Sequence, residues 1–136
     1  MSHPLILPML IQMVLSSLIL LTLAPRRIAA VKKAGGVKGL IKAGGFKKPV
    51  VSHGDNFKNQ FETPVMFYAL CLLFIATGAV SSVATIAAWV FVTARIIHAA
   101  IHLTYNRIFP DRFVVFLIGS VALIVMIVAA LMQALS

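Results

Sequence analysis

The sequence predicts an all-α integral membrane protein, a bundle of four transmembrane helices in one domain. Of its 136 residues, 61% are hydrophobic and only 11% are charged, whereas a soluble domain of average composition carries about 25% charged residues. Three long stretches contain no charged side chain: residues 4–24, 63–94 and 113–135. Because about 20 apolar residues cross the hydrocarbon core of a bilayer, this composition excludes a water-soluble enzyme with a conventional core.

The first and last uncharged stretches each predict one span, and the middle stretch predicts most of two. A cluster of small residues from Gly78 to Ser82 suits a tight turn and divides the middle stretch. The predicted spans are 4–24, 63–78, 84–105 and 113–135, and a basic loop covers residues 25–58. We therefore expect a single membrane domain over residues 1–136.

The basic residues predict the orientation of this bundle. Twelve Lys and Arg against three Asp and Glu give a formal net charge of +9. Most of the basic residues lie in the loop 25–58, and Arg107 and Arg112 lie between the last two spans. With four spans these two loops share one side, which their Lys and Arg mark as cytoplasmic. We expect a multi-pass protein of a bacterial inner membrane, with both termini on the opposite side.

The basic loop contains a short repeat, Lys33-Ala-Gly-Gly-Val-Lys38 and then Lys42-Ala-Gly-Gly-Phe-Lys47. The repeat matches neither a phosphate-binding nor a dinucleotide-binding glycine loop. Lysines beside a span are attracted to anionic headgroups, so membrane lipids are the expected partner. Nucleic acid is not expected, because no set of stacking aromatic residues accompanies the lysines.

The third span carries ionisable residues at membrane depth, where each costs about 2.5–3.5 kcal/mol on the insertion scale. Arg95, His98 and His102 follow an i, i+3, i+7 spacing. At about 100° per residue they form one narrow stripe, which Tyr105 extends toward the cytoplasmic end. Such a stripe must face a partner helix or a wet cavity.

The second span offers a partner for this stripe at its cytoplasmic entrance. Asn59 and Glu62 are three residues apart, just before Pro64. Opposite charges in a low dielectric are tolerated together and strongly destabilised apart, which predicts a pairing of Glu62 with Arg95. Polar side chains of this kind either hold helices together or line a ligand site. The density of polar groups on one membrane face favours the ligand site.

Two further chemistries are weaker interpretations. His98 and His102 could ligate a metal ion with Glu62 as a third ligand, but an arginine in the same stripe repels a cation, so no metal site is expected. The single cysteine, Cys71, lies inside an apolar run. We expect it to pack against apolar neighbours rather than to act as a nucleophile.

Three motifs of this chain resemble the MAPEG family (membrane-associated proteins in eicosanoid and glutathione metabolism). They are Lys58-Asn-Gln-Phe-Glu62-Thr-Pro64, Arg95-x-x-His98-x-x-x-His102 and Pro110-Asp-Arg112. The marks of the family are Asn-x-x-Glu at the start of the second helix, Arg-x-x-His on the third and a basic residue at the start of the fourth. Chain length and four spans agree as well, and the motifs cover residues from about 55 to 113.

The resemblance implies a homotrimer that binds glutathione between neighbouring subunits near the cytoplasmic face. Asn59 and Glu62 would hold the peptide and its ammonium group, and Lys58 would reach a carboxylate from the rim. Arg95 and His98 would line the inner part of the site, and His102 and Tyr105 are the other implied binding residues. Lys58 stands where many members have arginine, and His102 where the eicosanoid-forming enzymes have tyrosine, so prostaglandin or leukotriene synthesis is not expected.

Arg112 is the implied catalytic residue. In the catalytic members its position lies by the sulfur of glutathione, and a neighbouring cation lowers the pKa of a free thiol from about 8.5. The resemblance thus implies a glutathione-binding transferase or peroxidase acting on lipophilic electrophiles. The alternatives are a non-catalytic member of the same fold that binds a lipid or a thiol, and a small multidrug-type exporter. The exporter ranks last because the first span has no charge.

Overall fold

The computed structural model describes residues 3–104 and 108–135, and all regular secondary structure within these ranges is helical. Six α-helices follow one another: α1 (Ile6–Lys33), α2 (Val37–Lys42), α3 (Val50–Lys58), α4 (Thr63–Thr77), α5 (Ser82–Leu103) and α6 (Phe113–Ala134). A 3₁₀ turn, Asn59–Phe61, joins α3 to α4, and a π-helical turn, Ile108–Arg112, leads into α6.

The four long helices form a bundle in which α1 and α6 each pack against both α4 and α5. Leu5, just before α1, shares an apolar cluster with Phe74 near the end of α4 and Ala84 near the start of α5. The start of α1 therefore lies beside the turn between α4 and α5. The polar residues of α3, the end of α5 and the start of α6 lie at the opposite end of the bundle.

Aromatic stacking and one glycine hold the middle of the bundle together. Phe67 of α4 and Phe91 of α5 are fully buried, and their rings stack with centroids 4.6 Å apart. Gly119 of α6 lies against α5, where an added Cβ would be 3.5 Å from the Cβ of Ala94. A Cβ would make only ordinary contact at this distance, so a small residue, glycine or alanine, fits the interface between the two helices, as small residues do in membrane bundles. Cys71 is fully buried in the same apolar cluster.

The turn between α4 and α5 uses two local signals. Gly78 ends α4 in the left-handed region, with φ +67°, which glycine adopts without steric cost. Ser81 caps the start of α5, because its side-chain oxygen accepts a hydrogen bond from the backbone N–H of Ala84 at 3.1 Å. The turn therefore lies within the small-residue cluster 78–82.

The segment expected as a basic loop is largely helical. Helix α1 continues through Pro25 to Lys33, and α2 and α3 occupy much of the remaining segment. Residues 26–33 are rich in Arg, Ala and Lys, which have high helix propensity. The helix thus tolerates the loss of the backbone hydrogen bond that Pro25 cannot donate.

The predicted fold class, an all-α bundle with four membrane-spanning helices, is confirmed. Among the residues that the structure describes, four stretches are long and apolar enough to cross a membrane: Ile6–Lys33, Val50–Thr77, Ser82–Leu103 and Pro110–Ala134. The chain is an integral membrane protein. The bilayer boundaries along these helices and the cytoplasmic side of the basic segment stay predictions.

Candidate functional site

The polar stripe of α5 is buried at the end of the bundle opposite the 78–82 turn. Arg95, His98 and His102 are only 3%, 3% and 2% exposed. The rings of His98 and His102 lie 6.0 Å apart, edge to face, and the His98 ring is 6.2 Å from that of Phe116 on α6. The stripe thus faces the interior of the protein rather than lipid, as polar groups in a membrane helix must.

Arg95 connects the stripe to the start of α4. Its Nη2 donates a hydrogen bond to the backbone carbonyl of Asn59 at 2.8 Å. In the described part of the chain Arg95 makes no ion pair with Glu62, although the two charges attract each other. The 3₁₀ turn brings a backbone carbonyl to the guanidinium, so the predicted contact between these two segments exists with a different acceptor.

A cavity of about 250 Å³ lies beside this contact. Its walls come from the 3₁₀ turn, α5 and the start of α6, and its lining residues are Asn59, Glu62, His98, Arg112, Phe113 and Phe116. Glu62 is exposed and Arg112 is partly buried. The lining therefore combines a carboxylate, a guanidinium, an amide and an imidazole with two aromatic rings. Such a lining suits a small charged molecule with an apolar neighbour.

Three buried polar atoms of the α5 stripe lack a hydrogen-bond partner within the described residues. They are Nε of Arg95 and Nδ1 of both His98 and His102. Because buried polar groups are almost always hydrogen-bonded, each of these atoms is a candidate to bind a polar ligand or an ordered water. The unpartnered atoms and the mixed charges of the lining suit a polar ligand that carries both signs of charge.

Three of the predicted site residues that the structure describes, Lys58, Arg95 and His102, are not among the residues that line this cavity. Lys58 is exposed, pairs with Asp55 at 4.0 Å and lines a second cavity of about 160 Å³ together with Arg27 and Phe46. Tyr105 lies outside the described residues. His102 and Arg95 are buried but do not line the cavity. Of the eight predicted residues, four line it: Asn59, Glu62, His98 and Arg112.

A buried network of side-chain amides, which the sequence did not predict, connects α1, the 3₁₀ turn, α3 and α5. Gln12 of α1 donates to the side-chain oxygen of Gln60 at 3.0 Å, and Gln60 donates to the backbone carbonyl of Asn56 at 3.1 Å. Asn56 in turn lies 3.4 Å from the carbonyl of Ala99 on α5. All three amides are at most 1% exposed. Two features of the sequence could have predicted this network: Gln12 lies inside an apolar span, and Asn56 and Gln60 are four residues apart.

Two larger cavities on the bundle are lined by no charged side chain. A cavity of about 490 Å³ between α5 and α6 is lined by aliphatic residues alone, and another of about 550 Å³ lies farther toward the 78–82 turn. No group of three or more His, Cys, Asp or Glu within the described ranges is arranged to hold a metal ion. The 250 Å³ cavity is thus the one that brings predicted site residues from three segments of the chain together.

Comparison with known proteins agrees with the motifs and with the bundle. A model of the MAPEG family matches residues 5–132, nearly the whole chain. No curated protein and no solved structure matches the chain. Because the match extends over the first and last helices as well as the motifs of the cavity, the chain belongs to the MAPEG family, whose members are commonly linked to glutathione.

Proposed function

We propose that this protein binds glutathione in the 250 Å³ cavity and uses its thiol to attack lipophilic electrophiles. The observation that carries the proposal is the lining: Glu62 and Arg112 provide opposite charges in one cavity, next to the amide of Asn59 and the imidazole of His98. A zwitterionic peptide needs both signs of charge at one site. A purely structural cluster of helix-joining groups does not need an open cavity among them.

Each residue has a definite part in this proposal. Glu62 accepts hydrogen bonds from the ammonium group, and Asn59 binds the peptide backbone through its side-chain amide. Arg95 holds the 3₁₀ turn in place through the Asn59 carbonyl. Nδ1 of His98, buried without a partner in the described structure, is available to the ligand. Arg112, at the start of α6, stabilises the thiolate because a neighbouring cation lowers the pKa of a thiol.

Glutathione, when bound, supplies the nucleophilic thiol. In conjugation, a carbon–sulfur bond forms, the bond to the leaving group breaks and the thiol proton passes to water. In the peroxidase reaction two thiols are oxidised to a disulfide while a hydroperoxide is reduced to an alcohol and water. Phe113 and Phe116, 51% and 39% exposed, form the apolar wall at which a lipid-dissolved substrate meets the thiol.

We propose a homotrimer in which a second copy of the chain closes the open side of the cavity. Exposed apolar side chains surround Glu62: Phe61 is 62% exposed and Val65 is 50% exposed. A neighbouring subunit packed on them would exclude water from the site, and water exclusion strengthens its electrostatic interactions. The mass of the purified protein in detergent, measured by light scattering, tests this assembly directly.

Calorimetric titration of the detergent-purified protein with glutathione tests the binding site. Hydrogen bonds to a charged group are worth about 1.5–3 kcal/mol, so Glu62→Gln should weaken binding roughly ten- to a hundredfold. Asp55→Asn is the matched control, because Asp55 is an exposed carboxylate outside the cavity. Absence of binding by the wild type at millimolar glutathione would overturn the proposal.

Turnover with a chlorinated aromatic electrophile and with a lipid hydroperoxide separates catalysis from binding. We expect Arg112→Ala to lower kcat more than it lowers glutathione affinity. Arg26→Gln is the control, because the exposed Arg26 bonds only its own helix through the Thr22 carbonyl among the contacts described. Binding without turnover on either substrate would contradict an enzymatic function and favour the alternative, a non-catalytic thiol-binding member of the fold.

A further inference from the structure

The basic segment, residues 26–48, contains the same helix C-terminal motif twice. In each copy of the Lys-Ala-Gly-Gly repeat both glycines have positive φ, between +74° and +102°. The backbone N–H groups of Gly35 and Gly36 bond the carbonyls of Lys32 and Val31, and those of the second glycine pair bond Ile41 and Leu40 in the same pattern. This is the geometry of a Schellman helix end, so the repeat ends α1 and then α2.

The short helix between the two motifs has an apolar edge and a basic edge. Val37 and Ile41, one turn apart, are 62% and 71% exposed, and Lys38 and Lys42 follow each of them by one residue. At about 100° per residue the two pairs form adjacent stripes on the helix surface. Gly39 packs against the end of α1, where a Cβ would collide with the Ala34 carbonyl. Helix α2 is thereby held close to α1 with its apolar edge uncovered.

The charge of the basic segment has no counterpart inside the segment. It contains eight basic residues and no acidic one: Arg26, Arg27, Lys32, Lys33, Lys38, Lys42, Lys47 and Lys48. The three acidic residues of the whole chain are Asp55, Glu62 and Asp111. These three residues could balance at most three of the eight charges, so most of the balancing negative charge must come from other molecules.

The length of α1 predicts that the segment lies at the bilayer surface. Its 28 residues, at 1.5 Å per residue, extend over about 42 Å, which exceeds the hydrocarbon thickness of about 30 Å. The last turns of α1, with Arg26, Arg27, Lys32 and Lys33, thus reach the headgroup layer. Helix α2 follows directly after a three-residue turn, 34–36.

We propose that the basic segment is a docking surface for anionic phospholipids. Val37 and Ile41 enter the boundary between headgroups and acyl chains, and the lysines contact lipid phosphates. Amphipathic segments with Lys and Arg beside an apolar edge bind negatively charged membrane surfaces in this way. Phe46 is the one aromatic residue of the segment, and the guanidinium of Arg27 lies over its ring at 5.6 Å. The segment thus has no series of aromatic rings on which bases could stack, which disfavours nucleic acid as the occupant.

A fluorescent label on α2 tests this docking in the full-length protein. Ile41→Cys, in a Cys71→Ala background, is labelled with an environment-sensitive fluorophore and placed in phosphatidylcholine nanodiscs with or without phosphatidylglycerol. We expect a blue shift and a several-fold loss of acrylamide quenching when phosphatidylglycerol is present. High salt, or the added pair Lys38→Gln and Lys42→Gln, should reverse both effects. A label at Ser82→Cys, at the other end of the bundle, is the matched control.

Two outcomes would overturn the proposal. One is equal quenching of the Ile41 label with and without phosphatidylglycerol. The other is protection by added RNA in phosphatidylcholine nanodiscs together with no effect of the anionic lipid.

The unlabelled wild type provides a second readout that needs no variant. Trypsin should cut after Lys38 and Lys42 several-fold more slowly in anionic nanodiscs, relative to a soluble reference peptide in the same sample.

Discussion

Replacement of Gln60 by leucine tests whether the buried amide network holds the site together. Gln12 and Gln60 are 0% and 1% exposed, and a 3.0 Å hydrogen bond joins their side chains. Gln60 also donates to the Asn56 carbonyl at 3.1 Å. Side-chain hydrogen bonds inside membrane proteins average about 0.6 kcal/mol and reach about 1.7 kcal/mol. Losing two of them should lower the free energy of unfolding by about 1–3 kcal/mol.

A double-mutant cycle isolates the bond between the two glutamines. Gln12→Leu, Gln60→Leu and the double variant are unfolded in mixed micelles by titration with a denaturing detergent, followed by circular dichroism. Because each single variant leaves its partner amide unpaired, the double variant should be more stable than additivity predicts, by about 0.6–1.7 kcal/mol. Ser17→Ala is the control, since the exposed Ser17 hydroxyl bonds only the Met13 carbonyl of its own helix in the described structure, and a surface change of this kind costs under about 0.5 kcal/mol. Strict additivity of the two glutamine variants would refute the reasoning.

Two further predictions concern the packing of α5. Phe91→Ala removes a fully buried ring that stacks on Phe67, and the same unfolding titration should show a loss of about 3–5 kcal/mol; a loss below about 1 kcal/mol would mean that the ring is not part of a packed core. Gly119→Ala should be tolerated, because its Cβ would make ordinary contact with Ala94 at 3.5 Å, whereas Gly119→Leu should cost about 1–3 kcal/mol by overpacking. Equal stability of the two glycine variants would contradict a close approach of α6 to α5.

Local patterns in the sequence predicted the helices and the polar stripe of α5. Long uncharged stretches must be helical in a bilayer because every backbone polar group has to be satisfied within its own segment. The spacing of Arg95, His98 and His102 places them on one helix face whatever the rest of the fold does. The three residues are indeed buried together.

Other features depend on contacts that no local pattern encodes. Charge matching predicted Glu62 as the acceptor for Arg95, but the acceptor is the carbonyl of Asn59. The position of a backbone acceptor depends on the path of the chain through a 3₁₀ turn, and the residue types of the turn do not predict that path. The extension of α1 beyond Pro25 was likewise missed, because basic residues indicate both a helix end and a membrane surface.

The sequence by itself determined that the chain is an all-α membrane protein, which residues carry the MAPEG motifs and which face of α5 is polar. These properties follow from composition and from the helical period, which act within a single segment. Tertiary structure alone decided that Asn59, Glu62, His98 and Arg112 line one cavity while Lys58 lies at another. The physical reason is that a cavity is formed by helices far apart in sequence, whose relative positions depend on packing such as the Phe67–Phe91 stack and the close approach at Gly119.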